Sequence, residues 1–150
     1  MNINGKDYNF KFLFIKKIKK ELTTDNTPGF QVLMQGLLTR DVEIIVKAVK
    51  ALISQDKAVS DTEVLNELAP VFENDGKTDK LFDDFLSGMI QSGFLRQMTI
   101  TFKKNLIKEL EMYKNVSQNM NDKMEQQAIE ENIKLQQQHI SHLDKLMTRH

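Results

Sequence analysis

Val59-Ser60-Asp61-Thr62-Glu63-Val64-Leu65-Asn66-Glu67-Leu68-Ala69-Pro70-Val71-Phe72 is the stretch that decides the class of this fold. Ser60 can accept from the amide three residues on, Glu63 can reach back to the amide of Ser60, and Val59 with Val64 completes an apolar staple across the join. The spacing therefore predicts a helix start at Ser60. Leu65, Leu68, Val71 and Phe72 extend its apolar face. Pro70 lacks an amide proton and is expected to bend the helix or end its regular bonding one turn earlier. Downstream, Asn74-Asp75-Gly76 reads as an exit loop. Leu81, Phe82, Phe85, Leu86, Met89 and Ile90 then recur at helical spacing up to Ser92-Gly93, and Leu95, Met98, Phe102, Leu106, Leu110 and Tyr113 form the longest stripe.

Upstream, Asp41 is placed to cap a helix whose residues Ile44, Ile45, Ala48, Val49, Leu52 and Ile53 cover more than half its circumference. A shorter helix through Phe30, Val32, Leu33, Met34, Leu37 and Leu38 is expected to end near Thr39. Thr23-Thr24-Asp25-Asn26-Thr27-Pro28-Gly29 breaks it from another carrying Leu13, Phe14, Ile15, Ile18 and Leu22. The opening differs. In Met1-Asn2-Ile3-Asn4-Gly5-Lys6-Asp7-Tyr8-Asn9-Phe10-Lys11-Phe12, Asn4-Gly5 is a two-residue turn signal, and Tyr8, Phe10 and Phe12 alternate with polar residues as one face of a strand. A hairpin this short is marginal alone and must lay its aromatic face on helices. The expected fold is mainly α: a compact helical domain with a short N-terminal β-hairpin, residues 1–115, followed by a Gln/Met-rich C-terminal helical extension, residues 116–150.

In that extension Gln, Asn and Met replace Leu and Phe. Ile129, Ile133, Gln136, Ile140, Leu143 and Met147 still fall at alternating intervals of four and three, a heptad seam with one polar interruption. A self-associating or partner-binding helix, a helix folded back on its own domain, and a disordered tail all remain open. Met112, Met120 and Met124 lie in or near the extension, and methionine offers an adaptable apolar surface to a partner. Met112, Met120, Met124, Ile129, Ile133, Ile140, Leu143 and Met147 are accordingly the candidate protein-binding residues, with core filling the plainer account of each.

The 150 residues suffice for one domain of ordinary size, and 21 basic against 21 acidic residues leave no overall field toward nucleic acid or anionic lipid. Charge is nonetheless segregated. Lys6, Lys11, Lys16, Lys17, Lys19 and Lys20 make the start basic, and Asp61, Glu63, Glu67, Glu73, Asp75, Asp79, Asp83 and Asp84 make a central stretch acidic; these are solvated helix faces or steer a partner. Cysteine is absent, which removes disulfides and thiolate metal sites. No apolar run approaches the length of a membrane span, and the basic start lacks a signal peptide's clean apolar stretch, so the chain is expected in the cytoplasm of the cell that makes it.

Catalytic patterns are missing. His139, His142 and His150 are the imidazoles, all in the tail. His139 and His142 could share a helical face, but neither Cys nor a well-placed carboxylate completes a metal site. The glycines form neither a nucleophile elbow nor a phosphate-binding loop. Asp83-Asp84 and Glu130-Glu131 are adjacent pairs that diverge on a helix. No enzyme, cofactor, metal or small-molecule substrate is expected. A DNA-reading helix would want Arg, Asn or Gln after a tight turn, whereas Arg40, Arg96 and Arg149 are dispersed and the lysine clusters edge core helices, so nucleic acid is an unfavoured partner.

Taken in order, Ile3-Asn4-Gly5-Lys6-Asp7-Tyr8-Asn9-Phe10-Lys11-Phe12, the helix through Ile18, the stretch from Phe30 to Leu38, the helix from Asp41 to Ile53 and the Ser60-Asp61-Thr62-Glu63 start resemble the tail assembly chaperones of long, non-contractile-tailed phages that infect Gram-positive bacteria. The resemblance covers roughly Met1 to Tyr113. It implies a non-enzymatic protein of the infected host cytoplasm that escorts the tape measure protein, recruits tail tube subunits, self-associates as a homo-oligomer and departs before the virion is finished. It implies further that Tyr8, Phe10 and Phe12 anchor the hairpin to the helices, and that this chain is similar to the short form of a pair whose longer member arises by frameshifting. Family members often carry glycine after the second strand, where Leu13-Phe14 stand here. The alternative is a small regulatory or adaptor protein of a phage or mobile element that dimerises through its C-terminal helix.

Overall fold

A computed structural model describes residues 1–74 and 76–149; Asp75, in the expected exit loop, and His150 lie outside the described residues. The architecture is mainly helical with a short N-terminal hairpin, in agreement with the periodicity. The chain forms two compact units, Met1–Ser92 and Gly93–His150.

The first unit opens with β1 (Asn2–Ile3) and β2 (Lys6–Asp7), antiparallel, with Asn2 opposite Asp7 and Ile3 opposite Lys6. Asn4 and Gly5 turn the chain with φ of 52° and 85°, the positive pair that a type I′ turn demands. The Asn2 side chain braces the turn, donating to Asp7 Oδ1 at 2.9 Å and accepting from the Gly5 amide at 3.1 Å. Ile3 is buried. The expected strand through Phe12 does not form, because β2 ends at Asp7 and Phe12 is already the first residue of helix α1 (Phe12–Leu22). Phe10 carries the expected aromatic anchorage, meeting Phe14 and Phe85 edge to face with centroids 5.1 and 5.3 Å apart. Phe12 is 66% exposed.

Helix α1 has no side-chain cap of its own at Lys11. Gln55, just beyond the end of α3, supplies one from 41 and 44 residues away: its Oε1 accepts from the amides of Lys11 at 2.8 Å and Phe14 at 3.2 Å. Its Nε2 donates to the carbonyls of Asn9 at 2.8 Å and Leu52 at 3.0 Å. Helix ends leave orphan amides that need such partners.

Helices α2 (Gly29–Leu38) and α3 (Val42–Ile53) follow the expected boundaries. Asp41 caps α3 by accepting from the amides of Glu43 and Ile44. Between them Arg40 takes φ 61°, and the Asp41 amide returns to Gly36 O at 2.8 Å, which closes α2 with a Schellman turn. That left-handed position normally belongs to glycine and costs another residue about 1–2 kcal/mol. Arg40 occupies it with its guanidinium engaged, donating to Asp83 Oδ1 at 2.7 Å and lying 5.4 Å from the centre of the Phe82 ring. Gly36 lets α2 and α3 approach so closely that a Cβ there would sit 2.5 Å from Ile44 Cγ2.

Helix α4 (Asp61–Phe72) starts where the opening motif places it, with Ser60 Oγ accepting from the Glu63 amide at 3.2 Å. It buries Val64 and Leu68, while Leu65, expected on the same face, is exposed. Pro70 does not end it: two further residues stay helical, because a proline this near the C-terminus disturbs little of the ladder. Helix α5 (Lys77–Gln91) buries Leu81, Phe82, Phe85, Leu86, Met89 and Ile90, the full set expected.

The second unit is a pair of helices, α6 (Gly93–Gln118) and α7 (Lys123–Thr148), packed along their length. Asp122 caps α7 through the amides of Met124 and Glu125. Three side-chain bridges run in opposite order on the two helices: Lys103 to Asp144 at 2.5 Å, Glu109 to Gln136 at 3.2 Å, and the Ser117 carbonyl to Gln126 at 3.2 Å. The pair is therefore antiparallel. The tail is a helix folded back on α6, one of the three states its composition left open. The change of texture at Val116 falls inside α6.

Candidate functional site

The α6–α7 hairpin divides the candidate residues into two sets. Ile129, Ile133, Ile140 and Met147 are partly covered and Leu143 is fully buried. They share a side of α7 with Gln136, whose amide reaches Glu109 on α6. The heptad seam is thus the side that α7 turns to α6, with Leu146 buried beside it. Gln136, the polar interruption, keeps one half of its amide satisfied, and its Oε1 is buried with no hydrogen-bond partner among the described residues. Leu95, Phe102, Leu106 and Leu110 form the buried stripe of α6.

Met112 and Met124, by contrast, are 66% and 81% exposed, and Met120 is partly covered in the connection between the helices. Two further apolar residues that the sequence reading did not single out, Val116 and Leu135, are 46% and 44% exposed. Their placement follows from the helix repeat. At 100° per residue, Met112 and Val116 lie about 100° to one side of the buried stripe of α6, and Met124, Ala128 and Leu135 lie about 100° to one side of the seam of α7. In an antiparallel pair these two offsets point to the same flank. Met112, Val116, Met124 and Leu135 therefore share one uncovered apolar face near the turn of the hairpin. The signal was present as a second i, i+4 stripe beside the first, Met112 with Val116 and Met124 with Ala128, and the stronger seam masked it.

Other features have local explanations. His139 and His142 are half-buried on α7; burial first, and then the neighbouring charge of His142, hold the His139 imidazole below its usual value. Among the described residues no group of three or more His, Asp or Glu could hold a metal ion. A cleft of about 370 Å³ between the hairpin and α4 is lined by Tyr8, Ile53 and Val59, with Lys6 and Glu67 at 2.9 Å on its rim. The hydrogen bond to Glu67, and then its charge, raise the Lys6 ammonium above the usual lysine range. The acidic central stretch is largely engaged within the first unit: Asp61 holds Lys50, Glu67 holds Lys6, Asp83 holds Arg40 and Asp84 holds Lys80. No helix among the described residues is long and apolar enough to cross a membrane.

The fold and surface define a small, mainly helical protein with an N-terminal hairpin, whose chemically distinctive feature is an uncovered apolar helix face. Residues 1–104 match the phage tail assembly chaperone protein family (TAC), more than two thirds of the 150-residue chain. The chain belongs to that family, and its general role is that of a tail assembly chaperone. No curated protein and no solved structure matches it significantly. The family match takes in the first unit and the start of α6 and stops short of the uncovered face.

Proposed function

We propose that this chaperone binds the tape measure protein, the tail tube subunits or both during tail assembly in the host cytoplasm, and that the uncovered face around Met112, Val116, Met124 and Leu135 receives the partner. The observation that carries this reading is the exposure of two methionines and two aliphatic residues on one flank of a helical hairpin in a member of this family. Such a flank offers a groove between two antiparallel helices, into which an amphipathic helix of a partner can lay its apolar stripe. Methionine suits a surface that must accept repetitive segments of varying sequence. Exposed apolar area of modest extent also fits an association that has to be reversed.

On this reading Ile129, Ile133, Ile140, Leu143 and Met147 support the face from behind by holding α7 to α6. Cutting the chain after Tyr113 would remove α7 and expose Leu106 and Leu110, so point substitution is the cleaner test. The full chain is mixed with a tape measure fragment and, separately, with a tail tube subunit, and the mass in solution is measured by light scattering. A complex with either that is lost in M112K/M124K supports the proposal. Unchanged masses with both partners, or a complex indifferent to both substitutions, overturn it.

A further inference from the structure

Helix α1 turns Phe14, Ile18 and Leu22 inward, and its opposite side is left to solvent. At 100° per residue that side carries two rows, Phe12–Lys16–Lys19 and Leu13–Lys17–Lys20, about 100° apart and set symmetrically against the buried stripe. Each row starts on an apolar residue and ends on two cations. Phe12 and Leu13 are 66% and 40% exposed; Lys16, Lys19 and Lys20 are exposed, and Lys17 is partly covered.

Among the described residues no carboxylate pairs with any of these four lysines, although Lys6, Lys11, Arg40, Lys50 and Lys80 of the same unit each hold one. Lys19 and Lys20 lie in the last turn, where a cation favours the helix C-terminus. Lys16 and Lys17 lack that role. Lys16 stands against Lys19 and Lys20, and Lys17 against Lys20, at spacings of three and four where like charges oppose helix formation. The unit thus keeps a repulsive cluster that its own acids leave uncompensated.

We propose that the solvent side of α1 docks an acidic amphipathic helix of a partner protein. Its carboxylates meet the four lysines, and its apolar residues, one turn away, cover Phe12 and Leu13. Carboxylates three and four residues apart match the lysine rows because both follow the same helical repeat. The step from cation to apolar within one turn selects this occupant. A nucleic-acid backbone carries its charge without interruption, and four lysines fall short of the roughly six to ten phosphate contacts of a strong electrostatic binder; the chain's balance of 21 basic and 21 acidic residues adds no field. An anionic membrane that took in Phe12 and Leu13 would meet Asp56, exposed beside Lys11 at the same end of the helix. This surface belongs to the first unit and does not depend on the function proposed above.

The test is fluorescence anisotropy on the full chain with a labelled synthetic helix that carries glutamates three and four residues apart and two leucines one turn from them. Binding is expected, and a peptide of the same composition in scrambled order should bind about tenfold more weakly or worse. K16E/K20E should weaken the complex about tenfold or more, K16Q/K20Q less, and L13S should weaken it as well. K104E/K114E, the same change of charge at two exposed lysines of α6, should leave it unchanged. The neutral pair K16Q/K20Q carries the test if circular dichroism shows the reversal unfolded. No binding of the peptide, equal loss in K104E/K114E, or loss in M112S/M124S but not in K16E/K20E overturns the proposal. So does tighter binding of duplex DNA or of phosphatidylglycerol vesicles than of the peptide. A mass of twice 17.4 kDa for the chain alone that K16E/K20E abolishes would make a second copy the occupant and overturn it too. The function proposed above is tested at another face with other substitutions, so the two can fail separately.

Discussion

Replacing Gln55 with Ala removes four hydrogen bonds, three that join the start of α1 to the end of α3 and one, to Leu52, within the end of α3. Oε1 accepts from two amides and Nε2 donates to two carbonyls, so the orientation of the amide is fixed by its partners. The bonds to Lys11 and Asn9 are exposed, and water replaces them in the variant at little loss. The bonds to Phe14 and Leu52 are partly buried and set the net effect. A lost helix cap of this kind costs about 1–2 kcal/mol. Within a unit the size of Met1–Ser92, each kcal/mol lowers the melting temperature by about 4–8 °C. Urea unfolding and thermal melts followed by circular dichroism should show that loss, with hydrogen exchange faster at the first amides of α1. Gln55→Glu keeps the acceptor, loses the donor and puts a negative charge near a helix N-terminus, so it should lose less than Gln55→Ala. A loss below about 0.3 kcal/mol for Gln55→Ala, or a larger one for Gln55→Glu, would refute the assignment of Gln55 as the cap.

Gly88→Ala improves helix propensity yet places a Cβ 2.8 Å from Phe10 Cε2 and 3.3 Å from Met1 Cβ; because Phe14 and Phe85 hold the Phe10 ring, a net destabilisation of about 1–3 kcal/mol is expected in a thermal melt. Arg40→Ala and Arg40→Gly both lose the Asp83 pair and the Phe82 contact but differ in the left-handed backbone, so the Gly variant should be the more stable by about 1 kcal/mol in urea titrations. His139 has a folded pKa below its unfolded value, so its contribution to stability is present above the ordinary histidine range and is lost as pH falls through the folded pKa. Melts between about pH 7 and pH 5 should show a decline that is smaller in His139→Gln.

Much of the fold was legible because its signals are local. The Ser60 motif and Asp41 cap their helices as read, since a cap needs only the side chain and amides two or three residues away. Asn4-Gly5 makes its turn for the same reason, because positive φ is a property of those two residues. The stripe of α5 is buried in full, since one amphipathic face can point only toward a core. The alternation at Tyr8, Phe10 and Phe12 misled, because the period of two persists in the sequence whether or not a neighbouring strand is there to pair with. Phe12 became the first turn of a helix whose cap comes from Gln55, a residue that no local pattern links to Lys11.

The site divides along the same line. The residues marked as candidates in the tail were set by sequence alone, as methionines and a heptad seam. Their separation into a covered side and an open side depended on α7 folding back along α6, and the ladder of bridges from Lys103–Asp144 to Ser117–Gln126 expresses that choice. Periodicity tells which residues of a helix lie together and says nothing about which neighbour they meet. Met112, Met124, Val116 and Leu135 come onto one flank because two helices run antiparallel, and only the tertiary structure decided that.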